Sequence, residues 1–421
     1  MRSTYKKLGP HIREVDVRNV EDRKTNLLGV STQKVFIESI ANTIGTNFTK
    51  YKIVKRGQFT YVPDTSRRGD KIGLALLETH DWGLVSNVYT VFEIIDEDQL
   101  LPEYLMMWFR RPEFDRYARF KSHGSVRELF GWAEMCDVEL PIPAIEKQRE
   151  IVKEYRTVVN RIRLNERLNQ KLEEAAQAIY KQWFVEFEFP MTAEYAKSIG
   201  KPELAGQPYK SSGGEMEYNE VLEQEIPKGW KNGPLEEFGK IVTGKTPSSD
   251  TPEHFGQETP FVTPSDFSSY FFHAVSSERA LSKIGVDALT KKLIPPGSIL
   301  TTCIGSDMGK TMMTRCECVT NQQINSVIPH KKETWGYLFH ALRNMYKDLR
   351  NLAIGSSTMP LLNKTEFSAV ECLCPAEGVG ESFQHSIEKL HDVVWCIERD
   401  AMALRAFCTV LLSSLATRHT E

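Results

Sequence analysis

Two stretches of this chain carry the same long apolar step, 232 residues apart, and nothing else in the sequence constrains its folding as strongly. The first runs through Ile151, Tyr155, Val158, Ile162, Asn165, Asn169, Leu172, Ala176, Ile179 and Trp183. The second runs through Phe383, Ile387, Leu390, Val394, Ile397, Ala401, Leu404, Cys408, Leu411 and Leu415. A 4-3-4-3 step is the seam of a coiled coil, and each run is long enough for a helix of ~50 Å at ~1.5 Å per residue. Such helices are marginal in water unless packed. Two in one chain pack most simply on each other, and because a whole domain separates them an antiparallel pairing is expected, with one domain at each end. The polar pair Asn165 and Asn169 would then fix the register, facing the region of Ile397 and Ala401. The blander reading is two ordinary core helices.

The segments before the two helices also correspond. Glu139-Leu-Pro-Ile-Pro143 closes the first half and Glu371-Cys-Leu-Cys-Pro375 closes the second, since proline breaks regular structure. Short β-rich runs appear at Lys34–Ile40, Gln58–Val62 and Leu84–Ile95, then a helical stretch at Pro102–Phe120. The second half has strand-like runs at Lys240–Val242, Ser298–Cys303 and Gln323–Ile328, then a helical run at Trp335–Leu352. Gly57 corresponds to Gly297, Val85-Ser86-Asn87 to Val319-Thr320-Asn321, and Gly124-Ser125 to Gly355-Ser356. Between the halves, 190–226 is rich in Pro, Gly, Ser, Lys and Glu and reads as a connector with little core of its own. The expected division is a first domain at 1–143, a helix at 144–189, a linker at 190–226, a second domain at 227–375 and a second helix at 376–421.

A chain of 421 residues with 41% hydrophobic and 26% charged residues is that of a soluble globular protein of two to three domains. No apolar run approaches the ~18–20 residues that span a bilayer, and no signal peptide follows Met1, so no membrane partner and a cytoplasmic location are expected. The eight cysteines include the pairs Cys316/Cys318 and Cys372/Cys374, whose C-x-C spacing lacks the matching second pair of a zinc site; they read as reduced thiols, with no metal.

A net charge of -3 gives no whole-chain signature for nucleic acid, so local patches decide. Residues 47–71 concentrate Lys50, Lys52, Lys55, Arg56, Arg67, Arg68 and Lys71, and Trp108–Arg127 interleaves arginines with aromatics. Gly305-Ser-Asp-Met-Gly-Lys-Thr311 is one residue short of a phosphate-binding loop and reads better as a loop between strands that touches a phosphate backbone through Lys310. The chain shows no dinucleotide fingerprint, no metalloprotease helix, no nucleophile elbow and no Asn/Asp-Pro-Pro-aromatic tetrad, which leans against an enzyme. Outside its seam the second helix is still apolar at Val393, Trp395, Met402, Phe407, Val410 and Leu412, and the first helix ends in Trp183-Phe-Val-Glu-Phe-Glu-Phe189. These surplus faces suggest a large partner surface, with Trp183, Phe184, Trp395, Met402, Phe407 and Val410 as the candidate contacts.

The stretch from Glu139 to Ile151, with Pro143 followed by Glu146-Lys-Gln148, resembles the lead-in to the conserved helix of type I restriction–modification specificity (S) subunits. Ile179–Glu188 resembles that helix's aromatic end. Ile226-Pro-Lys-Gly-Trp230, Thr243-Gly-Lys-Thr-Pro-Ser248 and Thr320-Asn-Gln-Gln-Ile-Asn325 resemble the second target-recognition domain. The final helix departs from the pattern, with Pro375-Ala-Glu-Gly-Val-Gly380 where a Pro-x-x-Glu-Gln lead-in stands in the family. The resemblance implies an α+β chain with two duplicated α/β target-recognition domains separated by an antiparallel two-helix coiled coil. It implies a non-catalytic subunit that reads a bipartite site in double-stranded DNA and docks two modification (methyltransferase) subunits and the restriction subunits. S-adenosylmethionine, ATP and Mg are then expected on those partners, and no cofactor on this chain. The rival is a coiled-coil adaptor with two protein-binding domains.

For such a reader, the candidate DNA contacts are polar loop residues at equivalent places in the two halves. They are Thr32, Gln33, Lys34, Arg67, Arg68 and Arg127 in the first half, and Thr263, Ser265, Asp266, Ser306, Lys310, Asn321, Gln322, Ser357 and Thr358 in the second.

Overall fold

A computed structural model describes residues 5–39, 45–64, 71–123, 128–248, 250–269, 272–274, 276–305, 308–354, 361–376 and 378–417. The chain forms two compact units, one made of 1–162 with 403–421 and the other of 163–402.

In the first unit the strands are β1 (Tyr5–Lys7), β2 (Ile12–Val15), β3 (Leu28–Val30), β4 (Phe36–Glu38), β5 (Lys52–Lys55), β6 (Phe59–Tyr61), β7 (Leu74–Leu76), β8 (Trp82–Val85) and β9 (Thr90–Ile94). Helices α1 (Pro102–Phe109), α2 (Pro112–Lys121) and α3 (Trp132–Cys136) follow, then β10 (Glu139–Pro141) and the long α4 (Ile145–Phe184). A four-stranded antiparallel sheet has the order β2-β9-β6-β7. β3 and β4 form a hairpin, β5 pairs with β8, and a parallel bridge from Leu27 to Leu84 joins the two pairs. β1 pairs with β10. Phe59 and Phe92 stack at 4.8 Å between centroids, under Phe109 of α1.

The second unit contains α5 (Ala193–Ser198), β11 (Met216–Asn219), β12 (Gln224–Pro227), β13 (Lys231–Pro234), β14 (Gly239–Thr243), β15 (Phe255–Gly256), β16 (Thr259–Val262), β17 (Arg279–Leu281) and α6 (Lys283–Ala288). It continues with β18 (Leu293–Ile294), β19 (Ile299–Thr302), β20 (Thr311–Met313), β21 (Cys318–Thr320), β22 (Ile324–Pro329), α7 (Trp335–Asn344), α8 (Tyr346–Ile354), α9 (Lys364–Ser368), β23 (Glu371–Cys374) and α10 (Val379–Ser414). Its antiparallel sheet, β14-β22-β19-β20, repeats the order of the first unit strand for strand, and β13 pairs with β23 as β1 does with β10. The second sheet, β15-β17-β16-β21-β18, repeats the hairpin, the parallel β16–β21 neighbours and the β18–β21 pair. Gly57 and Gly297 turn the chain into β6 and β19 at φ 84 and 82, a left-handed conformation that disfavours any side chain. The Tyr104 hydroxyl donates to the Pro141 carbonyl, and the Tyr337 hydroxyl to that of Leu373, so α1 and α7 are pinned to the closing strands β10 and β23 in the same way.

The two long helices run antiparallel in each unit. In the first, the start of α4 (Ile151, Val152, Tyr155) packs with the end of α10 (Leu411, Leu415). In the second, the end of α4 (Ala176, Tyr180, Trp183, Phe184) packs with the start of α10 (Phe383, Ile387, Val394). All twenty seam positions read from the sequence are buried or half-buried. Asn165 Nδ2 donates to Asp400 Oδ2 at 2.7 Å, one residue from the position expected to face it. The missing lead-in of the final helix has a structural replacement. Gln148 Oε1 accepts from Leu101 N at the start of α1, and Gln384 Oε1 accepts from Gly336 N at the start of α7, both at 2.9 Å. Gln384 stands one helical turn beyond the place the 232-residue offset assigns to it.

Two expectations change. Residues 190–226 are folded onto the second unit rather than forming a connector with little core. Phe189 stacks on both Tyr209 and Trp230, and Met191, Ala196 and Ile226 are buried in the same core. Trp183 and Phe184, expected to face a partner, are inside that core, with Phe184 against Tyr337 at 4.8 Å and Phe383 at 4.9 Å. Their aromatic area is used within the chain because α7 and the 187–230 segment close over the end of α4.

The second unit also buries three histidines, His273, His340 and His391. His340 and His391 meet Nε2 to Nε2 at 3.0 Å, and His273 Nδ1 lies 2.6 Å from Glu398 Oε2. Burial pushes all three below the ordinary histidine value, His340 to about 3. A depressed pKa means that the unfolded chain binds protons below pH ~6.5 that the folded chain refuses, so stability falls with pH in that window. Between pH 6.5 and 5 the second unit should therefore lose roughly one kcal/mol of stability per pH unit through His340, with His273 and His391 acting in the same direction. His340→Phe should flatten that slope, and a melting temperature independent of pH would contradict it.

Candidate nucleic-acid interface

In the second unit, backbone hydrogen bonds gather several loops at one edge of the two sheets. After β14, Gly244 N donates to Ile324 O at 3.1 Å and Lys245 N to Thr320 O at 2.9 Å. Asn321 N donates to Val262 O at 3.1 Å, which brings in the loop after β16. Cys303 N donates to Gln323 O, and Leu362 N to Cys303 O, which brings in the loop after β19 and the segment before α9. The close approach at Gly244 is compulsory, because a Cβ there would lie 2.2 Å from Asn321 O and 2.3 Å from Thr320 O. Lys292 Nζ donates to Thr243 O and is spent on holding the loop. Lys245, Ser265 and Gln322 are exposed at this edge.

The candidate residues divide by what their polar atoms do. Asp266 is a scaffold, since one carboxylate oxygen accepts from Thr263 N and Oγ1 and the other from Glu278 N. Thr263 Oγ1 also meets Ser265 Oγ at 2.8 Å. Asn321 is buried and its amide ties the turn to Gln323. Gln322 is exposed, and its Oε1 accepts from Thr246 Oγ1 at 2.7 Å. Lys310 is half-buried, with its backbone N–H donating to Thr302 Oγ1. The phosphate-loop-like segment joins strand to strand, β19 to β20, without the helix that a nucleotide site needs. Ser306, Ser357 and Thr358 lie outside the described residues. Thr246 and Lys245 were missed as candidates, although the Thr243–Ser248 motif that contains them was visible.

The first unit builds the matching edge. The β3–β4 hairpin tip carries Thr32, half-buried, and Gln33, exposed. The β8–β9 turn carries Ser86 and Tyr89, and Asp64 bridges to Leu129 beside Pro63. Between them lies a cavity of about 540 Å3 lined by Tyr51, Pro63, Asp64, Ser86, Val88 and Leu129. Arg67, Arg68 and Arg127 lie outside the described residues.

Lys34 is a correction. Its backbone turns to φ 62, and its side chain is folded inward, 4% exposed. The ammonium donates to Asp115 Oδ1 at 2.7 Å and Phe109 O at 2.5 Å and sits 5.0 Å above the Phe114 ring, so it is not presented to DNA. Burial lowers its pKa, and the Asp115 carboxylate opposes that shift. Among the described residues the basic stretch around 50–56 is not one face either. Lys50 is exposed, Lys52 is buried, and Lys55 pairs with Trp82 at the other end of β8, next to an Arg56 bound to Asp81. In the second patch Arg111 is buried, 4.1 Å above the Trp108 ring.

Of the other partner candidates, Trp395 is half-buried, edge-on to His273 at 5.4 Å. Met402, Phe407 and Val410 are exposed, the last two at 49% and 62%.

Residues 227–380 match the family model described as the type I restriction modification DNA specificity domain. Across 380 residues, 81% of this chain and 82% of the relative, the chain is 28% identical to the type I restriction enzyme HindI specificity subunit of Haemophilus influenzae. The chain is similar to type I specificity subunits over most of its length. A shorter match, also 28% identical, covers 165 residues and 38% of each chain in the type I restriction enzyme MjaIX specificity subunit of Methanocaldococcus jannaschii. The fold is that of the type I restriction–modification S subunit of M. genitalium, with a TM-score of 0.54 at 11% identity over 100% of this chain and 98% of that one.

Proposed function

We propose that this chain is the DNA sequence-recognition subunit of a type I restriction–modification complex, and that each α/β domain reads one half of a bipartite site. The observation that carries the reading is the repeated sheet edge. The same turns, after β3 and β8 in one unit and after β16 and β21 in the other, are held in equivalent places with different side chains at their tips. A common scaffold with two different surfaces is what reading two dissimilar half-sites requires. Lys and Arg contacts to phosphates position such a domain, and side chains at loop tips read base edges.

The chain itself supplies recognition and docking. Methyl transfer falls to two modification subunits carrying S-adenosylmethionine and acting on an extruded base, and ATP- and Mg-dependent cleavage falls to restriction subunits. The exposed Met402, Phe407 and Val410 on α10, with the half-buried Trp395, are the surface proposed for the modification subunits. Among the described residues no helix is long and apolar enough to cross a membrane, and a cytoplasmic site of action suits a DNA reader.

The test is a binding selection by the full-length chain from random duplexes. Enrichment of two short conserved blocks separated by a fixed gap is expected, whereas no enrichment favours the adaptor reading. Because α4 is one helix of 40 residues, we propose that it sets the gap. A heptad inserted after Ile162 and another after Met402 preserve the seam step and lengthen each helix by ~10 Å. The selected gap should grow by about three base pairs at ~3.4 Å each, and an unchanged gap would remove the helices from that role.

A further inference from the structure

We propose that Gln322 reads an adenine in the half-site of the second unit, with Thr246 as its positioning residue and Lys245 as the phosphate contact beside it. This rests on the reading of the chain as a DNA-recognition subunit and adds which residue reads which base.

Gln322 is an exposed side chain on a turn that is otherwise locked. Asn321 Nδ2 donates to Gln323 Oε1 at 2.9 Å, and Asn321 Oδ1 accepts from Gln323 N at 3.1 Å, so the buried amide on one side fixes the turn. Lys245 N donates to Thr320 O at 2.9 Å, and Gly244 lies flush against the same turn. The Thr246 hydroxyl then donates to Gln322 Oε1 at 2.7 Å. An amide oxygen has two lone pairs and an amide nitrogen two hydrogens, so this contact orients the group while leaving an acceptor and a donor side by side. That fork matches one base edge in the major groove. Adenine offers the N6 amino donor and the N7 acceptor, guanine offers two acceptors, cytosine a donor alone and thymine an acceptor with a methyl group. A Gln held in place before binding loses less freedom on contact than a mobile one. Lys245, exposed and one residue from Thr246, is placed to neutralise a phosphate without reading sequence.

The experiment compares wild-type chain with Gln322→Ala, Gln322→Glu, Thr246→Val and Lys245→Ala in the random-duplex selection, with melting curves confirming that each variant is folded. Gln322→Ala should relax one adenine position in one half-site by about tenfold or more and leave the other half-site untouched. Gln322→Glu, which has only acceptors, should turn that position toward cytosine. Thr246→Val should weaken the same position partially, and Lys245→Ala should lower affinity evenly across sequences. Wild-type selectivity retained in Gln322→Ala, or relaxation at a base other than adenine, overturns the assignment while the DNA-reading function stands. A wild-type chain that enriches no sequence overturns the function itself.

Discussion

Lys34→Ala should cost the first unit about 3–5 kcal/mol of folding stability, because it leaves the Asp115 carboxylate buried and unpaired. The pair is 2.7 Å apart with both side chains almost fully covered, and the same carboxylate oxygen also accepts from Ile72 N at 3.1 Å. Chemical denaturation of the full-length chain would read this loss directly. Replacing both partners, Lys34→Met with Asp115→Leu, should recover most of it, since a buried ion pair exchanged for packed apolar groups is often neutral. A Lys34→Ala chain that kept its stability and lost DNA affinity would mean that the hairpin tip opens on the duplex and that the buried position is only the unbound one.

Gly244→Val should abolish sequence preference at the half-site read by the second unit and leave the other half-site's preference intact. The added side chain starts 2.2 Å from one backbone carbonyl and 2.3 Å from another, and neither can rotate away as a flexible side chain would. The loop after β14 must therefore lift off the β21–β22 turn, breaking the contact between Thr246 and Gln322. Forced overpacking of this kind typically costs ~1–3 kcal/mol, which a unit of this size should survive, so the chain should remain folded in a melting experiment. Retained preference at both half-sites would show that the apposition of these loops is not needed for reading.

The long-range plan of the molecule was legible because it is written in periodicity. The heptad step at Ile151–Trp183 and Phe383–Leu415 needed no knowledge of the domains, and burial follows it at all twenty positions. The repeated closing segments, Glu139–Pro143 and Glu371–Pro375, were equally visible, as were the turn glycines Gly57 and Gly297. What could not be read was direction. Lys34 looks like a loop cation in sequence, and only the positive φ of its backbone and the position of Asp115, far along the chain, turn it inward. Trp183 and Phe184 follow a seam residue pattern that says nothing about which later segment covers them; Trp230 and Phe383 do. Polar residues at the loop tips posed the same difficulty. Asp266, Asn321 and Gln322 are indistinguishable as candidates in the sequence, yet the first two are consumed by the local scaffold and only the third faces outward.

The glutamine pair has a bearing on how such proteins can be recombined. Gln148 and Gln384 belong by chain position to the long helices, yet their amides are bound to the starts of α1 and α7 in the α/β domains beside them. A chimera spliced at the prolines that precede the helices would transplant a foreign reader without the residue that fastens it. Splicing inside the helix, past Gln148 or Gln384, would carry reader and fastener together, so the unit to exchange in a chimera overlaps the helix instead of stopping where it begins.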